Sequence, residues 1–249
     1  MPKDSVVVSD SLEIRVSHYF SLNHLYSAAF FCRNAYCIEE SQKDTLFKNG
    51  KFDENILFEH RAYVSSAIIL SVAFLEATVN ELIHDISDDE TRSLKYRGNS
   101  SPFIQNLANV SELSSMIRNV RETLEKYNKM LELAQFSPFV RGSRPYQQAS
   151  DVIKLRNELV HYKLVPQLAG ANKVPIQSAH FIEKMMRKKF PENPLTGKGN
   201  PYFPDKCLGH GCAEWTVKST MQFTDAFYSK IKMTPHYDHI RDRIQTRGA

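Results

Sequence analysis

The chain has 249 residues, 42% of them hydrophobic and 24% charged, which suits one sizeable core and argues against a disordered or fibrous class. The net charge of +4 is uneven: residues 151–249 carry 16 Lys and Arg against 9 Asp and Glu, and residues 1–150 carry 16 against 19. A basic second part can attract a polyanion.

The first residues, "MPKDSVVVSDSLEIRVSHYF", have neither a sustained apolar run nor a small-residue cleavage site, so no leader is expected and the protein reads as cytoplasmic. Leu12, Ile14, Val16, His18 and Phe20 alternate, which predicts a short extended segment around 5–18. From Leu22 the period becomes helical through Leu25, Tyr26, Ala29, Phe30 and Arg33, giving a helix to about residue 42. "KNGKFDE" at 48–54 reads as a loop. The strongest predicted helix covers about 58–86 and is apolar nearly all round, as a central bundle element is. Its most apolar run, "AIILSVAFLEA" at 67–77, is too short to span a bilayer and contains Glu76, so no membrane association is expected.

A polar break, "SDDETRSLKYRGNSSP", precedes a second long helix over about 111–136, striped by Leu113, Ile117, Val120, Leu124, Tyr127 and Leu131. A helix over about 145–164 follows, ended by Pro166, which biases Val165 away from helical geometry. Residues 165–210 read as an insertion: a short helix over about 176–190, then the Pro- and Gly-rich loop "PENPLTGKGNPYFPDKCLGHG". A final helix over about 212–233 carries Trp215, Met221, Phe223, Phe227 and Ile231. The expected fold class is all-α: a single helical bundle with a short N-terminal extended segment and a late loop and helix insertion.

Chemistry gathers in "DVIKLRNELVHYKLVP", at 151–166. At about 100° per residue, Val152, Leu155 and Leu159 form a core stripe opposite His161. Asn157 shares the face of His161, and Arg156 lies about 140° round, at the margin of the buried stripe. A lone helix therefore does not aim Arg156 and His161 at one point, which suggests a site at a dimer seam. The bland alternative is a solvated face salt-bridged to Asp151 and Glu158.

"LRNELVHY" resembles the Arg-x(4–6)-His signature of the HEPN superfamily of helical RNases. The upstream "SVAFLEATVNELI", with Glu76 and Asn80 on one face, resembles the helix that precedes that motif, and "GCAEWTVKSTMQFTDAFYSKI" resembles the closing aromatic helix. The resemblance covers about 58–86, 145–165 and 212–233. It implies a homodimer that cuts RNA without a metal or other cofactor, with a toxin or phage-defence role and a possible antitoxin or other regulatory partner. Arg156, Asn157 and His161 would be the catalytic residues, with Glu76 and Asn80 in structural support. RNA brings its own nucleophile, the 2′-hydroxyl. An imidazole can take that proton or protonate the leaving 5′-oxygen. A guanidinium can hold the phosphate as charge grows on its oxygens, and Asn157 can orient phosphate or sugar. The products would be a 2′,3′-cyclic phosphate and a 5′-hydroxyl. Lys154, Lys163, Arg187, Lys188 and Lys189 are the candidate RNA contacts, the last three within the basic "EKMMRKKF". The rival reading is a non-catalytic helical dimer that binds RNA, a nucleotide or a protein partner.

Other motifs carry less. Cys207, His210 and Cys212 in "KCLGHGC" do not have zinc-knuckle spacing, and Cys32 and Cys37 lie on different helix faces, so reduced thiols are expected. "TGKGN" at 196–200 lacks a phosphate-loop pattern. His236, Asp238 and His239 match no metal-binding helix.

Overall fold

The computed structural model describes residues 18–49, 53–96, 101–163, 181–197 and 199–248, and the fold is all-α, with no strand among those residues. The expected extended segment at 5–18 lies almost wholly outside them. Helix α1 (Ser21–Asn49) begins where the Glu81 carboxylate accepts the amides of Phe20 and Ser21, at 2.7 and 2.8 Å. A carboxylate from another helix thus satisfies donors that a helix start leaves open. Helix α2 (Glu54–Ser87) starts at Asp53, whose side chain accepts the Asn55 amide. It ends at Asp88, whose side chain accepts the Thr91 amide and opens α3 (Asp89–Lys95). One residue therefore closes one helix and caps the next.

The polar stretch after α2 is thus partly helical, and α4 (Pro102–Ala108) follows with Pro in its first turn. The single helix expected over 111–136 is two: α5 (Leu113–Arg118) and α6 (Thr123–Leu133). Glu112 enters α5 in left-handed backbone, and Glu122 is extended before α6, so the chain breaks between them. The expected stripe still faces the core: Leu113, Ile117, Leu124, Tyr127 and Leu131 are buried and Val120 is half-buried. Separate helices can offer the same apolar face as one long one, and periodicity does not register the break.

Helix α7 (Arg144–Val160) stops well before Pro166, and His161 is its C-cap, outside helical geometry. Of the predicted insertion, the described part is α8 (Phe181–Met186), which ends before the expected residue 190, and residues 187–197 and 199–209. Those residues are a packed element, which corrects the reading of "PENPLTGKGNPYFPDKCLGHG" as loop alone. Leu195, Tyr202, Phe203, Cys207 and Leu208 are buried, and Tyr202–Lys206 forms an irregular wide helical turn. Asn193 fastens the segment by donating to the carbonyls of Asp205 and Leu208 and accepting the Leu195 amide. Helix α9 (His210–Lys230) closes the bundle.

α2 is the central helix, packed by α1 along its length and crossed by α9 and α7. Its Val64, Ile68, Val72, Phe74, Leu75 and Val79 are fully buried. Each such side chain contributes roughly 1.5–3 kcal/mol by leaving water. α2 is long and apolar enough to cross a membrane by length and composition, with half of that stretch buried inside the fold. Tyr127 of α6 donates to the Leu75 carbonyl at 2.8 Å and meets Phe223 and Phe227 of α9 edge-on. The tail after α9 is tied down: Tyr237 donates to Asp225, Thr246 and Arg247 donate to Glu214, and Arg33 reaches the Gln245 carbonyl at 2.6 Å.

Candidate functional site

Three helices build the site. α7 supplies Arg156 at the core margin and, round the helix from it, Asn157 and His161, which are exposed. The helix is positioned by Val152 and Leu155, both fully buried, and by Leu159, which packs against the core. This is the stripe expected opposite His161. The His161 amide still donates to the Asn157 carbonyl at 2.9 Å, so the two residues keep helical neighbourhood although His161 itself leaves the helix. Tyr162 and Lys163 follow outside the helix and are exposed.

Arg156 sits at the edge of the core, its side chain 24% exposed, and its Nη2 donates to Glu76 Oε1 of α2 at 2.7 Å. Its Nε is buried and meets no acceptor. Glu76 is 41% exposed and also accepts from the Thr123 hydroxyl at 3.4 Å. One helical turn on, Asn80 accepts from Lys126 Nζ of α6 at 3.1 Å. The structure thus joins Glu76 and Arg156 directly and puts Asn80 on the same face of α2. Thr123 and Lys126 have no counterpart in the sequence reading. They lie more than forty residues in sequence from Glu76 and Asn80, and neither stands out in the pattern of its own helix.

The five expected RNA contacts divide. Lys154 lies on the exposed side of α7 near the Asn157–His161 face, 3.6 Å from Asp151, and Lys163 is exposed beyond the helix end. Arg187 is paired with Glu183 and lies over the Tyr202 ring, and Lys188 is in left-handed backbone. Lys189 is bound to Asp151 and lies against Trp215, so it clamps the segment after α8 onto α7. Asp151 is itself buried rather than solvated and also accepts from Gln147 at 3.0 Å. A buried carboxylate needs such partners, and losing Lys189 would leave it only Gln147 and the more distant Lys154.

The exposed face of α2 leads into the site. Phe58, Ala62, Ser66, Ile69, Ala73 and Ala77 recur every three or four residues, so they share one side, which continues into Glu76, Asn80 and His84. Phe58 and Ala62 are exposed and Ile69 is 39% exposed. A mainly apolar row thus ends in the polar groups that hold Arg156.

The remaining histidines and cysteines serve the fold. Among the described residues no group of three or more His, Cys, Asp or Glu is placed to hold a metal. The His210 amide donates to Glu39, and its ring meets the Thr246 carbonyl. The Glu39 carboxylate also meets His60 at 2.9 Å. All four cysteines are free thiols: Cys32, Cys207 and Cys212 are buried, and burial pushes the Cys32 and Cys212 thiols up. Asp238 is held by Arg241, and His236 lies in a buried polar network at the far end of α2.

No family model matches the chain, and neither does any curated protein or solved structure. The fold and site therefore define the class alone: an all-helical bundle presenting an Arg-Asn-His group at the end of one helix, braced by a carboxylate from the central one.

Proposed function

We propose that the protein is a metal-independent endoribonuclease of the HEPN type, cytoplasmic and homodimeric, in a toxin or phage-defence role. The observation that carries this reading is Arg156. Glu76 steers its guanidinium, its side chain is 24% exposed, and Asn157 and His161 are exposed on the same end of the helix. An acceptor arriving from outside can therefore meet the exposed part of the guanidinium. A phosphate oxygen supplies both the acceptor and the opposite charge.

In the reaction, the 2′-oxygen attacks the adjacent phosphorus and the bond from phosphorus to the 5′-oxygen breaks. His161 takes the 2′-hydroxyl proton, or in its charged form gives one to the leaving oxygen. Arg156 stabilises charge on the phosphate oxygens, and Asn157 orients the phosphate or sugar. A two-fold dimer supplies two imidazoles, one for each proton transfer. The apolar row on α2 supports that assembly, because it leads into Glu76, the partner of Arg156, and a second copy is what would cover it. An antitoxin or other regulatory protein is a further partner of such a role.

The test is RNA cleavage with analysis of the ends. The expected products are a 2′,3′-cyclic phosphate and a 5′-hydroxyl, at a rate unchanged by EDTA, and a 2′-deoxy nucleotide at the cut should block the reaction. Cleavage that proceeds through the 2′-deoxy position, or that needs a divalent ion, refutes the mechanism. The second reading, a non-catalytic dimer that binds RNA, a nucleotide or a protein, draws on the same contacts. The Arg156–Glu76 and Lys126–Asn80 pairs give these groups partners without any substrate. Binding with no cleavage of any RNA offered would favour it.

A further inference from the structure

Tyr162 is the residue that follows His161, and its ring is 47% exposed. The helix has ended at Val160, so Tyr162 is not carried round the helix axis but leaves with the departing chain. Consecutive Cα atoms lie about 3.8 Å apart, so the ring starts from a backbone position next to that of His161. One side of the ring is fixed. Its centroid is 6.3 Å from that of Phe203, tilted by 44°, and Phe203 is only 2% exposed within the wide turn Tyr202–Lys206. That separation falls in the range of favourable aromatic pairs. Tyr162 therefore rests on a rigid wall and keeps much of its surface open to solvent.

One cation adjoins the ring in sequence, and two more lie on the neighbouring elements, each paired with a carboxylate: Lys154 with Asp151 and Arg187 with Glu183. Lys163 is the next residue and is exposed, and Lys154 lies on the exposed side of α7. Arg187 lies over the Tyr202 ring at 5.8 Å, beside the same wall. An aromatic face bordered by cations is what unpaired nucleic acid uses: bases stack on the ring and phosphates meet the charges.

We propose that Tyr162 is a specificity-determining residue that stacks an unpaired nucleobase beside the bond to be cut. The proposal rests on the ribonuclease reading and names its substrate class: single-stranded RNA, or loops whose bases can splay out. A base held in a duplex cannot offer its face to the ring. Larger ring systems stack more strongly, so a purine is the preferred partner.

The test separates stacking from cleavage. The probe is a labelled six-nucleotide RNA with every 2′-hydroxyl methylated, which cannot be cut, and affinity is read by fluorescence anisotropy. Tyr162→Ala should weaken binding about tenfold or more, as loss of one stacked base implies. Tyr162→Phe and Tyr162→Trp should retain affinity, and the unfolding midpoint of all three should stay near wild type. On cleavable RNA, Tyr162→Ala should flatten the base preference at the cut. Unchanged affinity in folded Tyr162→Ala overturns the proposal, as does equal loss in the Phe and Trp variants. If wild type cuts no RNA yet Tyr162→Ala still weakens binding, stacking stands and the reaction proposed above falls. If wild type binds no probe, both fall.

Discussion

Lowering the pH from 7 to 5 should destabilise this protein through His236. Its Nε2 lies 2.8 Å from the Ser21 hydroxyl oxygen, and its Nδ1 lies 3.1 Å from the Tyr228 hydroxyl. Ser21 gives its own proton to Glu81, so the network assigns Nε2 as the donor to Ser21 and Nδ1 as the acceptor from Tyr228. A neutral imidazole satisfies both contacts. Burial, the nearby Lys95 and His239 push the His236 pKa down to about 4 from 6.5, against an opposing effect of Asp85. Because the folded value is the lower one, the unfolded chain binds more protons between those limits, and stability falls as pH falls through that window. Linkage gives a loss of about 2 kcal/mol between pH 7 and pH 5, and about 3 kcal/mol as the upper limit at still lower pH. Glu214 titrates apart from this. Burial opposes its ionisation, but hydrogen bonds from Arg247, Lys218 and Thr246 outweigh that and hold its pKa at about 2, so its stabilisation is lost below the histidine window. The assay is urea unfolding of wild type and His236→Gln at both pH values. The mutant is less stable at pH 7, and its loss on acidification is smaller than that of wild type by about 2 kcal/mol. The same pH slope in both proteins refutes the argument.

Two further outcomes follow from the site. Glu76→Ala removes the group that steers Arg156, so RNA cleavage should fall about tenfold or more while stability changes by less than about 1 kcal/mol, since the pair is partly solvated; a cleavage rate equal to wild type would show that Glu76 does not position Arg156. Ile69→Glu puts a charge in the exposed apolar row of α2 and should shift light-scattering mass from dimer to monomer with loss of cleavage; an unchanged dimer would place the interface elsewhere.

The helical period in the sequence was sufficient to find α2, α7 and α9 and their buried sides, because a stripe opposite solvent is a local property. The short helices α3, α4 and α5 were not legible. They start at Asp88, Ser101 and Glu112, whose backbone departs from the helix in ways that apolar periodicity does not register. The segment around Phe203 read as loop because Pro, Gly and Asn dominate its composition, yet its aromatic residues find a core that only the fold provides. In the site, the position of Arg156 at the core margin followed from the angle alone. Its bond to Glu76 spans 80 residues, and the tie between Lys189 and Asp151 spans 38. Such pairings arise from helix packing and leave no mark on either local sequence.

The central claim is that His161 and Arg156 carry out RNA cleavage. The most direct measurement is the rate at which purified His161→Ala cuts a labelled single-stranded RNA, beside wild type, with circular dichroism to verify the fold. His161 is exposed past the end of α7, so the variant should fold normally. The account predicts a loss on the order of a hundredfold or more, the usual scale for removing a proton-transfer group, with a similar loss in Arg156→Ala. Cleavage by folded His161→Ala at the wild-type rate would contradict it.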